Sequence, residues 1–539
     1  MTPTRRPPGV SLDRFLTRLP ETPLPERAAL VELAQALLGG VYVHLRQKRA
    51  RYGIDPVQQL RVLRQRLGDL SSRQFHDELH LILAALRDRH TGYLAGPPLA
   101  GKAAVLPFLV ERFTDPGGTS HYLVTRVADW APADTGLVVG AELTHLNGIP
   151  MQRVVERNAA TQRGAHDDAR LARGLVALTT RSLQYAPPPE EHWVSVALRA
   201  DRRAETRVHW RVIETQEPAT TAGGSGEREV SALQRGDDPA GQAIQAARRR
   251  LYAPSRPRAP WLQTRLPAIF AARPLETRRG TLGYLRIWSF AHADDTAVRD
   301  EAQRLVTQLP ATGLIVDIRG NPGGSIPTAE LLLQVLTVRP VTPAHFSLTN
   351  TDQTLAMCRD DPDELGRWTA SIVEAVGTGE LYAQGLPLTD AERANDLAAG
   401  RRYPGPVVLI IDALTYSAAD IFAAGFQDNQ LGPILGTDRA SGAGGANVWT
   451  AAQIAQRLTS VPEWPAQPAG GASFTIALRR ATRVNARQGN PLEDIGVKPD
   501  LVHRLTRNDL LASNQDLLEA AAALVMSPGA SAATPEVAP

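Results

Sequence analysis

The amino-acid sequence predicts a multidomain α/β protein, and three observations support that prediction. The chain has 539 residues, which is more than a single hydrophobic core usually serves. Apolar residues recur at helical spacing near the N-terminus and alternate in short strands further on. From about residue 263, strands of buried type alternate with helices, a pattern typical of an α/β layered domain.

These patterns divide the chain into five predicted segments. Residues 1–102 form a helical subdomain, and residues 103–213 form a β-rich domain. Residues 214–262 are polar and rich in breaker residues, which predicts a linker or an exposed insertion. Residues 263–510 form the α/β domain, and residues 511–539 form a C-terminal helix and a low-complexity tail that we expect to be disordered.

Composition narrows the class of function. The chain is 43% hydrophobic and 21% charged, as in soluble globular proteins, and its net charge of +3 gives no reason to expect nucleic acid. No apolar run approaches the roughly 18 residues of a membrane segment. Two arginines near the N-terminus precede no apolar stretch, so we expect no signal peptide and a cytoplasmic location. The single cysteine, Cys358, has no partner for an internal disulfide.

A single serine stands between a predicted buried strand and a predicted helix. The strand runs from Val407 to Ile411, and Ser417 opens the sequence SAADIFAAGF. In one interpretation Ser417 caps the helix and Asp420 completes a capping box. In the other, Ser417 is a nucleophile on a sharp turn, where free N–H groups at the helix start stabilise an oxyanion. Taken alone, the stretch favours the cap.

A second predicted buried strand ends in two glycines. It lies in the sequence GLIVDIRGNPGGSI, where the glycines are Gly323 and Gly324. Glycines after a strand permit a turn and a close backbone approach, and they can present an unhindered N–H to a ligand. Alone, this signal is weak.

Together, the two motifs resemble the tail-specific, or C-terminal-processing, serine peptidase family. They stand in the family's order, about 95 residues apart. The residues that match the family's pattern are Asp317, Arg319, Asn321, Gly323, Gly324, Ser417, Ala418, Asp420, Gln427 and Asp428. The stretch GTLGYLRIWSF is similar to the family's entry strand. The resemblance covers most of residues 280–505 and implies an α/β catalytic domain of the ClpP/crotonase-like type, with Ser417 as nucleophile.

The family's lysine base is missing. Bacterial processing members carry it after the serine in a Gly-Lys-Gly context, and Gly442 stands at the equivalent spacing here. The chain has no lysine between Lys102 and Lys498. A Ser-Lys mechanism is therefore not available from that position.

The tricorn core branch of the family uses a histidine from a preceding helical subdomain and a glutamate near the end of the catalytic domain. The stretches LRDRHTGYL and EDIGVKPD resemble these segments, which implies His90 as base and Glu493 as its orienter. A histidine near its ordinary pKa suits a general base, and a carboxylate can fix its tautomer. The alternatives are a histidine facing a helix C-terminus and a solvated loop glutamate. Arg89 stands where tricorn has a second serine, which implies a simpler proton relay.

Two further stretches contain familiar patterns. The stretch GLVVGAELTHLNGIPM resembles the strand, turn and helix of a PDZ domain, which binds peptide termini by strand addition. No clear carboxylate-binding loop precedes this stretch in the sequence. We therefore expect a PDZ-like fold and leave peptide binding open. His76 and His80 have the i, i+4 spacing of zinc ligands, but the glutamate is misplaced and the face is apolar. We expect no metal there.

The sequence thus predicts a serine-type peptidase that hydrolyses peptide bonds by a Ser-His-Glu acyl-enzyme mechanism, without a cofactor. The catalytic residues are Ser417, His90 and Glu493, and the oxyanion donors are Gly323, Gly324 and Ala418. The expected partner is a peptide or unfolded protein, and a homo-oligomer is left open. The alternative is a non-catalytic protein that binds hydrophobic ligands on the same scaffold.

Overall fold

The computed structural model describes residues 7–132, 135–200, 203–215, 235–252 and 261–527. Much of the predicted linker, residues 216–234 and 253–260, and the predicted disordered tail, residues 528–539, lie outside the described residues.

Helices and strands follow one another through the described chain. The α-helices are α1 (Leu12–Leu16), α2 (Leu24–Gly40), α3 (Leu45–Tyr52), α4 (Pro56–Gln65), α5 (Ser72–Ala84), α6 (Met151–Ala160), α7 (Asp167–Ala177), α8 (Pro239–Tyr252), α9 (Asp295–Val306), α10 (Ile326–Leu333), α11 (Asp352–Asp360), α12 (Thr369–Thr378), α13 (Ala418–Asp428), α14 (Ala451–Ala455), α15 (Arg507–Leu511) and α16 (Gln515–Val525). The strands are β1 (Val10–Ser11), β2 (Gly92–Leu94), β3 (Lys102–Val105), β4 (Phe108–Thr114), β5 (Ser120–Val127), β6 (Glu142–Leu146), β7 (Ile149–Pro150), β8 (Thr180–Ser182), β9 (Trp193–Arg199), β10 (Arg203–His209), β11 (Arg211–Glu214), β12 (Arg235–Asp237), β13 (Phe270–Thr277), β14 (Gly280–Ile287), β15 (Leu314–Asp317), β16 (Gly323–Ser325), β17 (His345–Ser347), β18 (Leu386–Pro387), β19 (Val407–Ile411), β20 (Ile434–Gly436), β21 (Ala446–Thr450), β22 (Ser473–Thr482) and β23 (Leu501–Val502).

A six-stranded sheet forms the centre of the α/β region, in the order β13-β14-β15-β19-β20-β23. β13 pairs antiparallel with β14, and the later strands are parallel. Leu409 and Ile411 of β19 face one apolar cluster, whereas Val408 and Ile410 face another, so both faces are covered. The predicted alternation of strands and helices from residue 263 is therefore correct.

The helical region shares its core with the α/β region. Leu37 and Phe75 of the helices pack in one buried cluster with Trp449 and Ile476, which lie on β21 and β22. In addition, β2 pairs antiparallel with β22 in a second sheet, ordered β18-β17-β22-β2, with β21 paired to β22. The segment just before β2 is thus tied to the α/β region by both backbone and apolar contacts.

Residues 103–213 form antiparallel sheets with helices α6 and α7. One sheet has the order β10-β9-β6-β5-β4, and a smaller one has the order β1-β11-β3-β8. Between β6 and β7, Asn147 and Gly148 both have positive φ, which suits a two-residue hairpin turn. The predicted strand, Asn-Gly turn and helix are therefore present. The resemblance to a PDZ domain stays a prediction.

Part of the predicted linker is packed structure instead. β12 and α8 lie within it, and Ala240, Ala243 and Ala247 of α8 are buried. Tyr252 at the end of α8 is buried too and donates a hydrogen bond to the carbonyl of Leu106. These alanines recur at three- and four-residue spacing, a signal that the surrounding arginines and the adjacent Pro and Gly residues concealed.

Within the described residues, no single helix combines the length and the apolar character needed to cross a membrane. One pair of consecutive helices has the necessary length and apolar composition when the two are taken together. The pair is Leu24–Gly40 and Leu45–Tyr52, which meet at an angle of 91°.

A buried ion cluster joins α3 to the closing segment of the α/β region. Lys48 Nζ lies 2.6 Å from Glu493 Oε1 and 2.5 Å from Asp494 Oδ1, and the three side chains are almost fully buried. The Tyr52 hydroxyl also donates to Asp494, at 2.8 Å. Burial alone would lower the pKa of Lys48, but the carboxylates of Glu493, Asp88 and Asp494 raise it. Lys48 therefore stays charged and neutralises carboxylates from the distant end of the chain.

Replacing Lys48 should destabilise the protein strongly. Lys48→Met leaves Glu493 and Asp494 buried without their cation, and removal of one partner from a buried ion pair costs about 3–5 kcal/mol. Urea unfolding followed by circular dichroism would measure this loss. Lys102→Met is the matched control, because Lys102 pairs with the exposed Glu214 and should cost at most about 1 kcal/mol. Equal losses in the two variants would contradict a special role for the buried cluster.

Candidate active site

Ser417 stands at the corner between β19 and α13. Its backbone has φ +67° and ψ −124°, which is not the extended conformation that N-cap residues usually adopt. The buried carboxylate of Asp420 accepts hydrogen bonds from the N–H groups of Ser417, Ala443 and Gly444, at 3.0, 3.3 and 2.8 Å. The corner is thus held in a strained conformation by its surroundings, as is typical of a nucleophile between a strand and a helix.

The Ser417 hydroxyl contacts His90. Ser417 Oγ lies 2.5 Å from His90 Nε2, although 327 positions separate the two residues in the chain. Both side chains are buried. The His90 peptide N–H donates to Asp88 Oδ1 at 2.8 Å, and β2 begins two residues later, so the backbone of His90 is fixed on both sides. The structure therefore places the predicted nucleophile and the predicted base at hydrogen-bond distance.

Asp88 is a buried carboxylate that sequence reasoning missed. It accepts a hydrogen bond from the Tyr42 hydroxyl at 2.9 Å, and its Oδ2 lies 3.3 Å from His44 Nδ1. Burial alone would raise the pKa of Asp88, but His44, Lys48 and His90 lower it well below its ordinary value. Asp88 is therefore ionised, and its charge favours a proton on His90. Its position two residues before His90 in LRDRHTGYL was the available signal.

The pKa of His90 differs from the ordinary value that the sequence led us to expect. Burial lowers the pKa of His90 to about 4, and the charges of Asp88 and Asp238 offset this only in part. Since the imidazole is then neutral near pH 7, it can accept a proton. The Asp88 carboxylate would also stabilise the imidazolium that proton transfer creates.

Tyr416 is a second group that sequence reasoning missed. Its hydroxyl oxygen lies 3.4 Å from His90 Nδ1, and the two rings are 4.6 Å apart between centroids. Burial, and then the charges of Glu493 and Asp88, raise the pKa of Tyr416 well above its ordinary value, so the phenol stays protonated. When Nε2 of His90 accepts from Ser417, Nδ1 carries the ring proton and faces the Tyr416 oxygen. Tyr416, the neighbour of Ser417, thus faces the far side of the His90 ring.

Glu493 is not where the prediction placed it. Within the described residues no hydrogen bond joins Glu493 to His90, and Glu493 Oε1 accepts from Lys48 Nζ at 2.6 Å instead. Burial and the nearby carboxylates of Asp88 and Asp494 raise the pKa of Glu493, against the opposing effect of Lys48. The sequence could not reveal this pairing because Lys48 is 445 positions away and looked like a surface residue.

One predicted oxyanion donor is already engaged. The N–H of Gly323 donates to Asn321 Oδ1 at 2.9 Å, within the turn that follows β15. This local bond between a side chain and the backbone two residues on is common for asparagine. Gly323 therefore stabilises the turn, which corrects its predicted role.

Gly324 and Ala418 are the other two predicted donors. Gly324 has φ +148°, and a β-carbon there would lie 2.1 Å from the carbonyl carbon of Phe290, so only glycine fits. Phe290 bonds to the Gly323 carbonyl and the Ser325 N–H, at 2.9 and 3.0 Å, which directs the Gly324 N–H to the opposite edge of β16. Ala418 is the first residue of α13, so its N–H has no acceptor inside the helix.

Other residues of the matched motifs stabilise the framework. Asp317 is buried and accepts hydrogen bonds from Arg286 at 2.9 Å and Arg319 at 2.8 Å. Asp428 pairs with Arg483 at 2.6 Å. These ion pairs fix the end of β15, next to the glycine turn, and the C-terminal end of α13, the helix that begins after Ser417.

The structure also accounts for the missing lysine. A β-carbon at Gly442 would lie 2.8 Å from both the carbonyl oxygen of Thr415 and Cδ2 of Tyr416, so the backbone leaves no room for a side chain. A lysine base at this position is therefore excluded by packing as well as by sequence.

The histidine pair considered for zinc has other contacts. His76 has the Tyr93 hydroxyl 2.9 Å from Nδ1 and the Thr22 hydroxyl 2.9 Å from Nε2, and His80 packs edge-on against Tyr93. Burial lowers the pKa of His80 to about 3, so it is a neutral core residue.

Atoms of metal-ligand type do come together elsewhere, in His44, Asp88 and Glu493, within 4.8 Å of one another. There, the Lys48 ammonium supplies the positive charge.

Comparison with known proteins identifies the α/β region. Residues 281–503 match Peptidase family S41. This part of the chain is a serine peptidase domain of the tail-specific type, as its motifs indicated. No curated protein matches the sequence.

A solved structure with a TM-score above 0.5 shows the same fold over nearly the whole chain. Mature CPAF has 18% identity and a TM-score of 0.67, with 94% of this chain and 99% of that chain covered. The photosystem II D1 C-terminal processing protease has 16% identity and a TM-score of 0.40, covering 94% and 98%. The tricorn protease has 14% identity and a TM-score of 0.38, covering 93% of this chain and 37% of that chain.

The pKa of His90 can be measured directly. Because burial lowers it to about 4, the imidazole should stay neutral from pH 8 down to pH 5, and its NMR signals should not titrate in that range. Histidine-labelled protein would provide the signals, and His90→Ala would assign them. His121 serves as the internal control, since hydrogen bonds to Glu142 and Asp115 raise its pKa above the ordinary value. A His90 midpoint between pH 6 and pH 7 would contradict the buried, neutral base.

Tyr416→Phe tests the group that faces His90 Nδ1. Removing the hydroxyl leaves that nitrogen buried and unpaired, at a cost of about 1–3 kcal/mol, so kcat should fall about tenfold to a hundredfold with little change in KM. Steady-state kinetics on a peptide substrate would measure both constants. Tyr403→Phe is the control, because its hydroxyl donates to the Pro310 carbonyl rather than facing His90. An unchanged kcat in Tyr416→Phe would remove Tyr416 from the positioning of the base.

Proposed function

We propose that the S41 peptidase domain hydrolyses peptide bonds through a Ser417 acyl-enzyme, with His90 as general base. The observation that carries the proposal is the 2.5 Å contact between Ser417 Oγ and His90 Nε2. A serine hydroxyl is a weak nucleophile until a base removes its proton, and a neutral imidazole at this distance is suited to that task. The substrate class is peptide or unfolded protein.

The proposed reaction has two balanced halves. Ser417 Oγ attacks the substrate carbonyl carbon while its proton moves to His90 Nε2, and the N–H groups of Gly324 and Ala418 stabilise the oxyanion. The C–N bond then breaks, and His90 gives the proton to the leaving amine. Water repeats the sequence on the ester and frees the carboxylate product.

The remaining groups stabilise the base in this proposal. Tyr416 contacts Nδ1 of the His90 ring, and the charge of Asp88 favours the protonated ring. Glu493 acts at one remove, because its bond to Lys48 holds the helical region that carries His90. Ser417, His90 and Glu493 all take part in the proposed mechanism. Glu493 does so through Lys48 instead of orienting His90 directly.

The alternative of a hydrophobic-ligand carrier is not favoured. An intact contact between Ser417 Oγ and His90 Nε2 suits acyl transfer and would have no role in a carrier.

Ser417→Ala should abolish casein hydrolysis and covalent labelling by a small fluorophosphonate. The free energy of unfolding should change by only about 1 kcal/mol, since the loss is one hydroxyl and its hydrogen bond. Ser417 is buried and residues 235–238 lie close by, so labelling should be followed for hours. Ser195→Ala, which removes a hydroxyl bonded to Glu205, should label like the wild type. Labelling that persists in Ser417→Ala would overturn the assignment of the nucleophile.

A further inference from the structure

The short strand β12 pairs with one edge of β16. β12 pairs antiparallel with β16, with Asp237 opposite Gly323, Gly236 opposite Gly324 and Arg235 opposite Ser325. The next residue continues the ladder, since the N–H of Asp238 donates to the Pro322 carbonyl at 2.8 Å. β16 has Phe290 on its other edge, so both of its edges are paired.

This pairing covers a proposed oxyanion donor. In an antiparallel ladder, directly opposed residues alternate between hydrogen-bonded and non-bonded pairs. Since Asp238 and Pro322 are bonded, the pair two residues away, Gly236 and Gly324, is the next bonded pair. The N–H of Gly324 thus points to the backbone of β12. A peptide that uses this N–H must take the place of β12 and run along the same edge.

The residue after β12 delivers a carboxylate beside the base and the nucleophile. Asp238 is buried, with 2% of its surface exposed, and its Oδ2 accepts hydrogen bonds from Arg89 Nε and, at 3.2 Å, from an Nη atom of Arg173. Arg89 directly precedes His90 in the chain. The Arg173 guanidinium lies 4.7 Å from the ring centre of Tyr416, which precedes Ser417. The two arginines therefore converge on Asp238, next to the residues that precede His90 and Ser417.

The arginines require an anion at this place. Arg173 is buried, and its Nε and second Nη atom have no hydrogen-bond partner within the described residues. Burial and the neighbouring Arg89 lower the pKa of Arg173 to about 10, and the same two effects lower that of Arg163 to about 10. The Asp238 carboxylate is shared by Arg89 and Arg173, and guanidinium groups bind carboxylates through paired N–H donors. Arg173 thus has donors left for a better-fitting carboxylate.

We propose that Arg89 and Arg173 form a specificity subsite for an acidic side chain of the peptide substrate, and that Asp238 is its internal occupant. The inference rests on the proposed peptidase function and adds the substrate class. A substrate strand that replaces β12 on Gly324 brings one of its own side chains to the position of Asp238. Aspartate or glutamate at that position replaces the lost charge, whereas asparagine or glutamine leaves both arginines buried without an anion.

The subsite can be tested with a positional-scanning peptide library whose ends are acetylated and amidated, so that no terminal carboxylate competes. One position near the cleaved bond should prefer Asp or Glu over Asn or Gln by about tenfold or more in kcat/KM. Arg173→Gln should reduce this preference to below about threefold while Ser417 still reacts with the fluorophosphonate. Arg439→Gln is the matched control, because Arg439 pairs with Asp168 on the surface, and it should keep the wild-type preference.

Asp238→Asn tests the proposal independently, because this change should improve substrate binding instead of weakening it. Loss of the internal carboxylate should lower KM for acidic peptides by about threefold or more and speed fluorophosphonate labelling, without changing which residue is preferred. Active wild-type enzyme with no acidic preference at any position, or full preference in Arg173→Gln, would overturn the subsite. An unchanged KM in Asp238→Asn would overturn the role of Asp238 as internal occupant. Absence of both labelling and cleavage in the wild type and in Asp238→Asn would instead overturn the peptidase function.

Discussion

Docking of the helical region onto the α/β sheet is the constraint on which the rest of the structure depends. His90 comes from one region and Ser417 from the other, and their 2.5 Å contact exists only in the docked state. Three kinds of contact maintain it: the pairing of β2 with β22, a shared apolar cluster, and the ion pairs of Lys48. The ion pairs add specificity, because a buried lysine without its carboxylates would be strongly unfavourable in any other register.

The same burial determines the electrostatics of the site. In a low-dielectric interior an isolated histidine loses its proton, whereas a carboxylate keeps its charge only beside cations or donors. His90 follows the first rule, with a pKa of about 4, and Asp88 the second. The result is a neutral base next to a fixed negative charge. Burial keeps His90 neutral before the reaction, and the charge of Asp88 stabilises the imidazolium that forms during it. These two requirements usually conflict, and here different features meet them.

The backbone contributes as much to the site as the side chains do. Gly324 is held in a conformation open only to glycine, and its N–H faces an edge on which an extended peptide can pair. The chain's own β12 lies on that edge, and Asp238 places a carboxylate between Arg89 and Arg173. Peptide recognition and charge recognition therefore meet at one place, within reach of the nucleophile. A short strand of glycines and two arginines from distant segments suffice for this.

The sequence by itself determined the local features. The buried strand before Ser417, the glycine turn at Gly323 and Gly324, and the α/β alternation follow from periodicity and from residue types that only certain backbones accept. The motifs and the absence of a lysine near Ser417 were enough to indicate a serine peptidase with another base. Only tertiary structure decided which groups surround His90, because Tyr416, Asp88 and Lys48 looked ordinary in the sequence. Charge pairing and pKa depend on distance and burial, and neither can be read from positions 445 residues apart.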